Sequence, residues 1–96
     1  MDIQTIRQKT LPIFKQYRVR KAAVFGSVAR GDALPDSDLD ILIDPPQSMS
    51  LLDFVALKQD IEDIVHMPVD LVSYRGLSPY LKDSILSCEH VFYETN

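Results

Sequence analysis

The sequence predicts an α/β (α+β) protein in which a small mixed β-sheet packs on helices. Three observations lead to this fold class: apolar residues at helical spacing, short apolar runs bounded by turn formers, and short connections between these segments. The 96 residues suit one domain spanning residues 1–96, with a small core. Because such a core is marginal by itself, a partner protein or self-association, as a homo- or hetero-oligomer, is an expected source of further stability.

The first predicted element is a helix from Ile3 to about Tyr17, where apolar residues recur at helical spacing. Pro12 lies inside this segment and has no backbone N–H, so we expect the helix to kink or split there. Two short apolar runs follow, at residues 22–25 and 39–43, and turn-forming residues bound each of them. Both runs are predicted to form buried strands.

A capping box predicts the start of the next helix, because Ser50 stands three residues before Asp53 and a long apolar stripe follows. This helix is expected to begin at Leu51 and to end near His66, before Pro68. The stripe consists of Leu51, Leu52, Phe54, Val55, Leu57, Ile61, Ile64 and Val65.

The remaining residues predict a strand, a helix and an edge strand. Residues 69–72 form a third short apolar run. Ser78 and Pro79 suit an N-cap and a first helical position, which predicts a last helix through about Ser87. Residues 91–93 are expected to add a strand at the edge of the sheet.

Composition and charge exclude several classes of protein. No apolar run approaches the roughly 18 residues of a membrane span, and the first residues lack the pattern of a signal peptide. Cys88 is the only cysteine and cannot form an internal disulfide, so a cytoplasmic location is expected. The formal charge of −4, from 10 basic and 14 acidic residues, argues against a nucleic-acid surface. Any phosphates bound are expected to be those of a mononucleotide.

Gly26 and Ser27 directly follow the first predicted strand. Gly26 lacks a Cβ, so a phosphate can approach the backbone there, while Ser27 and the next amides can donate hydrogen bonds to it. The alternative is that Gly26 and Ser27 simply form the turn that ends a strand.

Asp38 and Asp40 stand two residues apart at the start of the second predicted strand, so the alternation of a strand puts both carboxylates on one face. At about 4 Å and an effective dielectric near 20, the two charges repel by roughly 4 kcal/mol, which calls for a cation or a proton. Carboxylate oxygens of this kind suit Mg²⁺. Together with a phosphate cradle ten residues upstream, they predict a two-metal site for phosphoryl transfer.

The pattern of Gly-Ser, ten residues and Asp-x-Asp, with Arg30 and Gly31 inside it, resembles that of the DNA polymerase beta-like nucleotidyltransferase superfamily. Within this superfamily, the chain resembles the minimal nucleotidyltransferases in its short length and in the sequence of residues 69–72 around Asp70. The resemblance implies a Mg²⁺-dependent enzyme that uses ATP, with Asp70 as the third carboxylate of the metal site. Arg30 is expected to neutralise triphosphate charge if its side chain points inward, and Asp70 taken alone could be an ordinary edge residue.

The resemblance further implies a partner and a reaction. Minimal nucleotidyltransferases are commonly encoded beside a helical HEPN-domain toxin, and they act as its antitoxin by adenylylating a tyrosine on it. Two alternatives stay open: an antitoxin that neutralises the toxin by contact alone, and nucleotidyl transfer to a small molecule. The intact set of three carboxylates speaks against the first, and the short chain leaves little room for the substrate domain that the second requires.

Overall fold

The computed structural model describes residues 3–25, 38–76 and 90–95. Its elements in chain order are α1 (Ile3–Gln16), β1 (Lys21–Phe25), β2 (Leu39–Asp44), α2 (Leu51–Val65), β3 (Val69–Ser73), a 3-10 turn (Tyr74–Gly76) and β4 (His90–Glu94). This order confirms the predicted one for the described residues. The helix predicted from Ser78 to about Ser87 lies outside them. Neither described helix is long and apolar enough to cross a membrane.

The strands form a mixed sheet in the order β3-β2-β1-β4. β1 pairs antiparallel with both β2 and β4, whereas β2 and β3 run parallel. The parallel pair requires a crossover, and α2 supplies it. As expected, β4 lies at an edge of this sheet.

Both helices pack on one face of the sheet. Each contributes a buried stripe at a spacing of four residues, which is one side of a helix. The stripes are Ile6, Thr10 and Phe14 in α1, and Leu57, Ile61 and Val65 in α2. The strand residues of the same core are Ala22, Val24, Leu39, Ile41, Ile43, Val69, Leu71, Phe92 and Tyr93.

Of the two outcomes expected at Pro12, a kink or a split, the split does not occur, and α1 continues through the proline. Pro12 is exposed, and so is Gln8, whose carbonyl loses its usual donor. Water can therefore satisfy that carbonyl. The buried stripe continues from Thr10 to Phe14 across the proline, and packing holds the two halves in one helix.

The apolar stripe predicted for α2 is only partly a core stripe. Leu57 is fully buried, but Leu51 and Leu52 are 78% and 81% exposed, and Val55 is 55% exposed. The start of α2 thus presents Leu51, Leu52 and Val55 to solvent, while Phe54 packs against the core.

Candidate active site

The alternation of side chains along β2 and β3 separates the core from the candidate site. In β2 the residues Leu39, Ile41 and Ile43 are fully buried in the core shared with the helices. Asp40 points to the opposite face and is half-buried. In β3, Asp70 is exposed, between two neighbours that belong to the core. The predicted placement of these carboxylates opposite the apolar residues is confirmed.

Asp40 and Asp70 stand side by side across the sheet. They are register partners in the parallel β2–β3 pair. Backbones of neighbouring strands lie about 4.8 Å apart, and partner side chains emerge on the same face. The hypothesis that the strand carrying Asp70 lies next to the strand carrying Asp40 is therefore confirmed by the pairing.

Asp38 joins this pair from the residue before β2 begins. It is exposed and stands two positions ahead of Asp40. The backbone at this point is held by a hydrogen bond in which the N–H of Leu39 donates to the carbonyl oxygen of Pro68, at 2.9 Å. Pro68 directly precedes β3, so the bond ties the two strands together next to the backbone positions of Asp38, Asp40 and Asp70.

The donor set fits a divalent cation in its chemistry. Carboxylate oxygens are the ligands that Mg²⁺ prefers, and Asp40 and Asp70 extend from backbones that are already in register. Within residues 3–25, 38–76 and 90–95, no three His, Cys, Asp or Glu side chains are gathered into a ligand group. Holding a shared ion would thus require Asp38, Asp40 and Asp70 to turn toward a common point.

The predicted phosphate-binding residues Gly26, Ser27 and Arg30 lie outside the described residues. The structure does describe Phe25, which ends β1 and is covalently joined to Gly26. Phe25 is the register partner of Asp40 on the side opposite Asp70. The C-terminal end of β1 therefore brings the chain to the row of carboxylates.

A contact missed by the sequence interpretation holds β3 in place. The carboxylate of Glu62, a half-buried residue of α2, accepts a hydrogen bond from the backbone N–H of Val69 through Oε2, at 2.9 Å. His66, which caps α2, adopts the left-handed conformation with φ 58° and ψ 40°. The sequence does not predict this contact, because the partner of a glutamate in a helix depends on the path of the chain after the helix ends.

Among the described residues, the clearest pKa shift is that of Tyr17, which lies away from this site, where the end of α1 meets α2. The hydroxyl of Tyr17 donates to Oδ2 of Asp60 at 2.7 Å. This hydrogen bond, helped by partial burial and the negative charges of Asp60 and Asp53, raises the pKa of Tyr17 above its ordinary value of 10.0. The contact joins the two helices and has no part in the carboxylate row.

Comparison with protein families matches residues 8–96 to the family described as "Polymerase beta, Nucleotidyltransferase". A relative from Methanocaldococcus jannaschii, named "Putative protein adenylyltransferase", is 40% identical over 87 residues, which cover 91% of this chain and 94% of that protein. The protein adenylyltransferase MntA of Thermococcus cleftensis is 39% identical over 85 residues, covering 88% of this chain and 84% of that one.

Solved structures show the same fold. One described as a "putative minimal nucleotidyltransferase" has a TM-score of 0.81 and 39% identity, and covers 94% of this chain and 95% of its own. A second comes from a complex of a tri-AMPylated HEPN toxin of Shewanella oneidensis with an MNT antitoxin. It has a TM-score of 0.74 at 19% identity, with 96% of this chain and 72% of the other covered, and shows similarity of fold alone. The predicted fold class is thereby confirmed.

Proposed function

We propose that this chain, which belongs to the Polymerase beta nucleotidyltransferase family, transfers AMP from ATP to a hydroxyl, that of a tyrosine, on a partner HEPN toxin. The chain would thereby act as the antitoxin. Nucleotidyl transfer follows from the family. A protein acceptor is supported by relatives that are named protein adenylyltransferases. A HEPN partner is supported by the complex in which an MNT antitoxin of the same fold binds a HEPN toxin. The observation that carries the proposal is the register that sets Asp70 beside Asp40.

Asp38, Asp40 and Asp70 would hold two Mg²⁺ ions. When bound, such ions supply positive charge that stabilises the phosphoryl oxygens and eases ionisation of an attacking hydroxyl. The carboxylates themselves gain from this binding, because the repulsion between close anions is relieved. Their placement on the face opposite α1 and α2 leaves the helix-packed core undisturbed.

The roles of the carboxylates would differ with their position. Asp70 is exposed and lies on β3, an edge strand of the described sheet, where an acceptor side chain can approach it. We assign Asp70 to the acceptor hydroxyl, whose proton it would take. The hydroxyl oxygen then bonds to the α-phosphorus of ATP, the bond from that phosphorus to the bridging oxygen breaks, and pyrophosphate leaves.

Gly26, Ser27 and Arg30 would bind the triphosphate. Gly26 follows Phe25 at the end of β1, next to the carboxylate row in the sheet register. A backbone without a Cβ, followed by amides and the Ser27 hydroxyl, suits phosphate oxygens. Arg30 would add positive charge against the triphosphate.

The proposal is tested by incubating the chain with ATP, Mg²⁺ and a HEPN-domain protein, taken from the neighbouring gene where that gene encodes one, and measuring the intact mass of the HEPN-domain protein. We expect its mass to rise by one AMP or a multiple of it, with wild-type chain only and not with Asp40→Asn. If the mass stays constant while toxicity is still neutralised, neutralisation occurs by contact alone. Transfer to an aminoglycoside in the same assay, with an unmodified HEPN protein, would instead indicate a small-molecule acceptor.

A further inference from the structure

We infer that Glu62 is a positioning residue for the candidate site: it clamps the connection between α2 and β3 and thereby fixes the start of β3, where Asp70 stands beside Asp40. The kinetic consequence of this clamp rests on the proposed function. The clamp itself does not, because it is a feature of the chain without nucleotide or metal.

Glu62 holds both ends of the connection. Its main-chain carbonyl accepts from the N–H of His66 at 2.9 Å, where α2 ends. Its side-chain Oε2 accepts from the N–H of Val69 at 2.9 Å, where β3 begins. Only residues 66–68 lie between, and they include a left-handed His66 and a proline without an N–H. Glu62 thus contacts both the end of the helix, through its main chain, and the start of the strand, through its side chain.

The N–H of Val69 needs this acceptor. Along a strand, the N–H and C=O of one residue point toward the neighbouring strand, and those of the next residue point away from it. The carbonyl of Pro68 bonds to the N–H of Leu39 in β2, so the next strand-facing groups of β3 belong to Asp70 and not to Val69. Val69 is only 4% exposed and its hydrogen bond to Glu62 is partly buried, so leaving this N–H without a partner would be costly. The carboxylate of Glu62 satisfies it from the helix side.

Losing the clamp would affect the site more than the core. A shift of β3 by one residue would turn Asp70 toward the helices and Val69 toward the site, because strand side chains alternate. The core resists so large a shift, since Leu71 would also leave it. Smaller displacements at the start of β3 remain possible, and a misplacement of about 1 Å can cost on the order of 10²-fold in rate.

Three substitutions and one control separate this role from general stability. Glu62→Ala removes the acceptor, Glu62→Asp shortens the side chain by one methylene, and Glu62→Gln keeps an oxygen in place. Asp63→Ala is the control: it removes a negative charge from the adjacent, exposed position, where Oδ1 contacts only Gln59 among the described hydrogen bonds. All variants are compared at a temperature where circular dichroism shows them to be folded.

The first readout is amide hydrogen exchange at Val69 in the chain without nucleotide. We expect exchange at least about tenfold faster in Glu62→Ala and Glu62→Asp, and near wild type in Glu62→Gln and Asp63→Ala. The second readout is nucleotidyl transfer to the HEPN protein. For the first two variants kcat should fall about 10- to 100-fold while the KM for ATP stays within about twofold, because the acceptor side of the site is displaced.

Each alternative result has a definite meaning. Unchanged exchange at Val69 in Glu62→Asp overturns the clamp, and this variant carries the test if Glu62→Ala does not fold. Faster exchange with unchanged kcat overturns the positioning role, as does a kcat for Glu62→Gln as low as that of Glu62→Ala. If the wild-type chain transfers nothing, the proposed function fails, and the exchange data still decide whether Glu62 holds β3.

Discussion

Replacing Asp70 by asparagine should stabilise the metal-free protein while removing nucleotidyl transfer. Stability should rise and transfer should fall because the negative charge of Asp70 repels Asp40 in the metal-free protein but would be needed for transfer. Asp70 is the register partner of Asp40, so two negative side chains emerge next to each other on one face. Without a cation they repel, and asparagine keeps the shape of Asp70 without its charge.

The magnitude follows from the spacing of the strands. At about 5 Å the repulsion between two unit charges is roughly 3 kcal/mol for a dielectric near 20 and about 0.8 kcal/mol in water. Asp70 is exposed and Asp40 is half-buried, so the lower end of this range applies. We expect Asp70→Asn to raise the free energy of unfolding by about 0.5–1 kcal/mol at low salt. The gain should be much smaller at 1 M salt, where the Debye length is only about 3 Å.

Urea unfolding in the presence of a chelator measures this change, and Asp63→Asn is the matched control. Asp63 is exposed on α2, and its Oδ1 accepts from Gln59, an acceptor that asparagine can retain. Both substitutions alter the net charge equally, but only Asp70→Asn removes the pair. A loss of stability in Asp70→Asn, or an equal gain in the control, would refute the side-by-side placement of the carboxylates. Transfer by Asp70→Asn should fall by roughly 10² to 10³.

Other consequences can be measured independently. Asp40→Asn should weaken binding of ATP with Mg²⁺ about tenfold or more in calorimetric titration, because it removes a ligand, whereas Asp70→Asn should bind with near-normal affinity; equal affinities in the two variants would contradict their different roles. Tyr17→Phe loses the hydrogen bond to Asp60 and should lower the free energy of unfolding by about 0.5–1.5 kcal/mol at pH 7. Because folding raises the pKa of Tyr17, the stability that this hydrogen bond contributes should be full below about pH 10 and be lost as the pH rises through the raised pKa. A stability difference between wild type and Tyr17→Phe that does not change with pH would contradict this expectation. Leu57→Ala should lower the free energy of unfolding by about 2–5 kcal/mol, since Leu57 is 0% exposed. Leu52→Ala should change it by less than about 0.5 kcal/mol, since Leu52 is 81% exposed. Similar losses in thermal unfolding of the two variants would contradict the orientation of α2.

Features determined by neighbouring residues could be predicted from the sequence. The capping box is an example: the N–H of Asp53 donates to Oγ of Ser50 at 3.1 Å, and the N–H of Ser50 donates to Oδ2 of Asp53 at 3.2 Å. The alternation that separates Asp40 and Asp70 from the core is likewise local, because it needs only a strand. The same holds for the order of the described elements.

Features that depend on distant parts of the chain could not be predicted in the same way. The continuity of α1 through Pro12 depends on which side of the helix faces solvent, and the sequence alone does not establish that. The apolar stripe of α2 contains exposed and buried leucines with the same local pattern. The role of Glu62 depends on the turn of residues 66–68, which brings Val69 back to the helix.

The contribution of the carboxylate row to transfer is tested most directly by a single-turnover experiment with the HEPN protein and ATP labelled at the α-phosphate. We expect wild-type chain to move the label onto a tyrosine of the HEPN protein. Asp40→Asn should bind little nucleotide, Asp70→Asn should bind nucleotide, and both should move the label roughly 10²- to 10³-fold more slowly. Label transfer at the wild-type rate by either variant would contradict the assignment of Asp40 and Asp70 as catalytic residues.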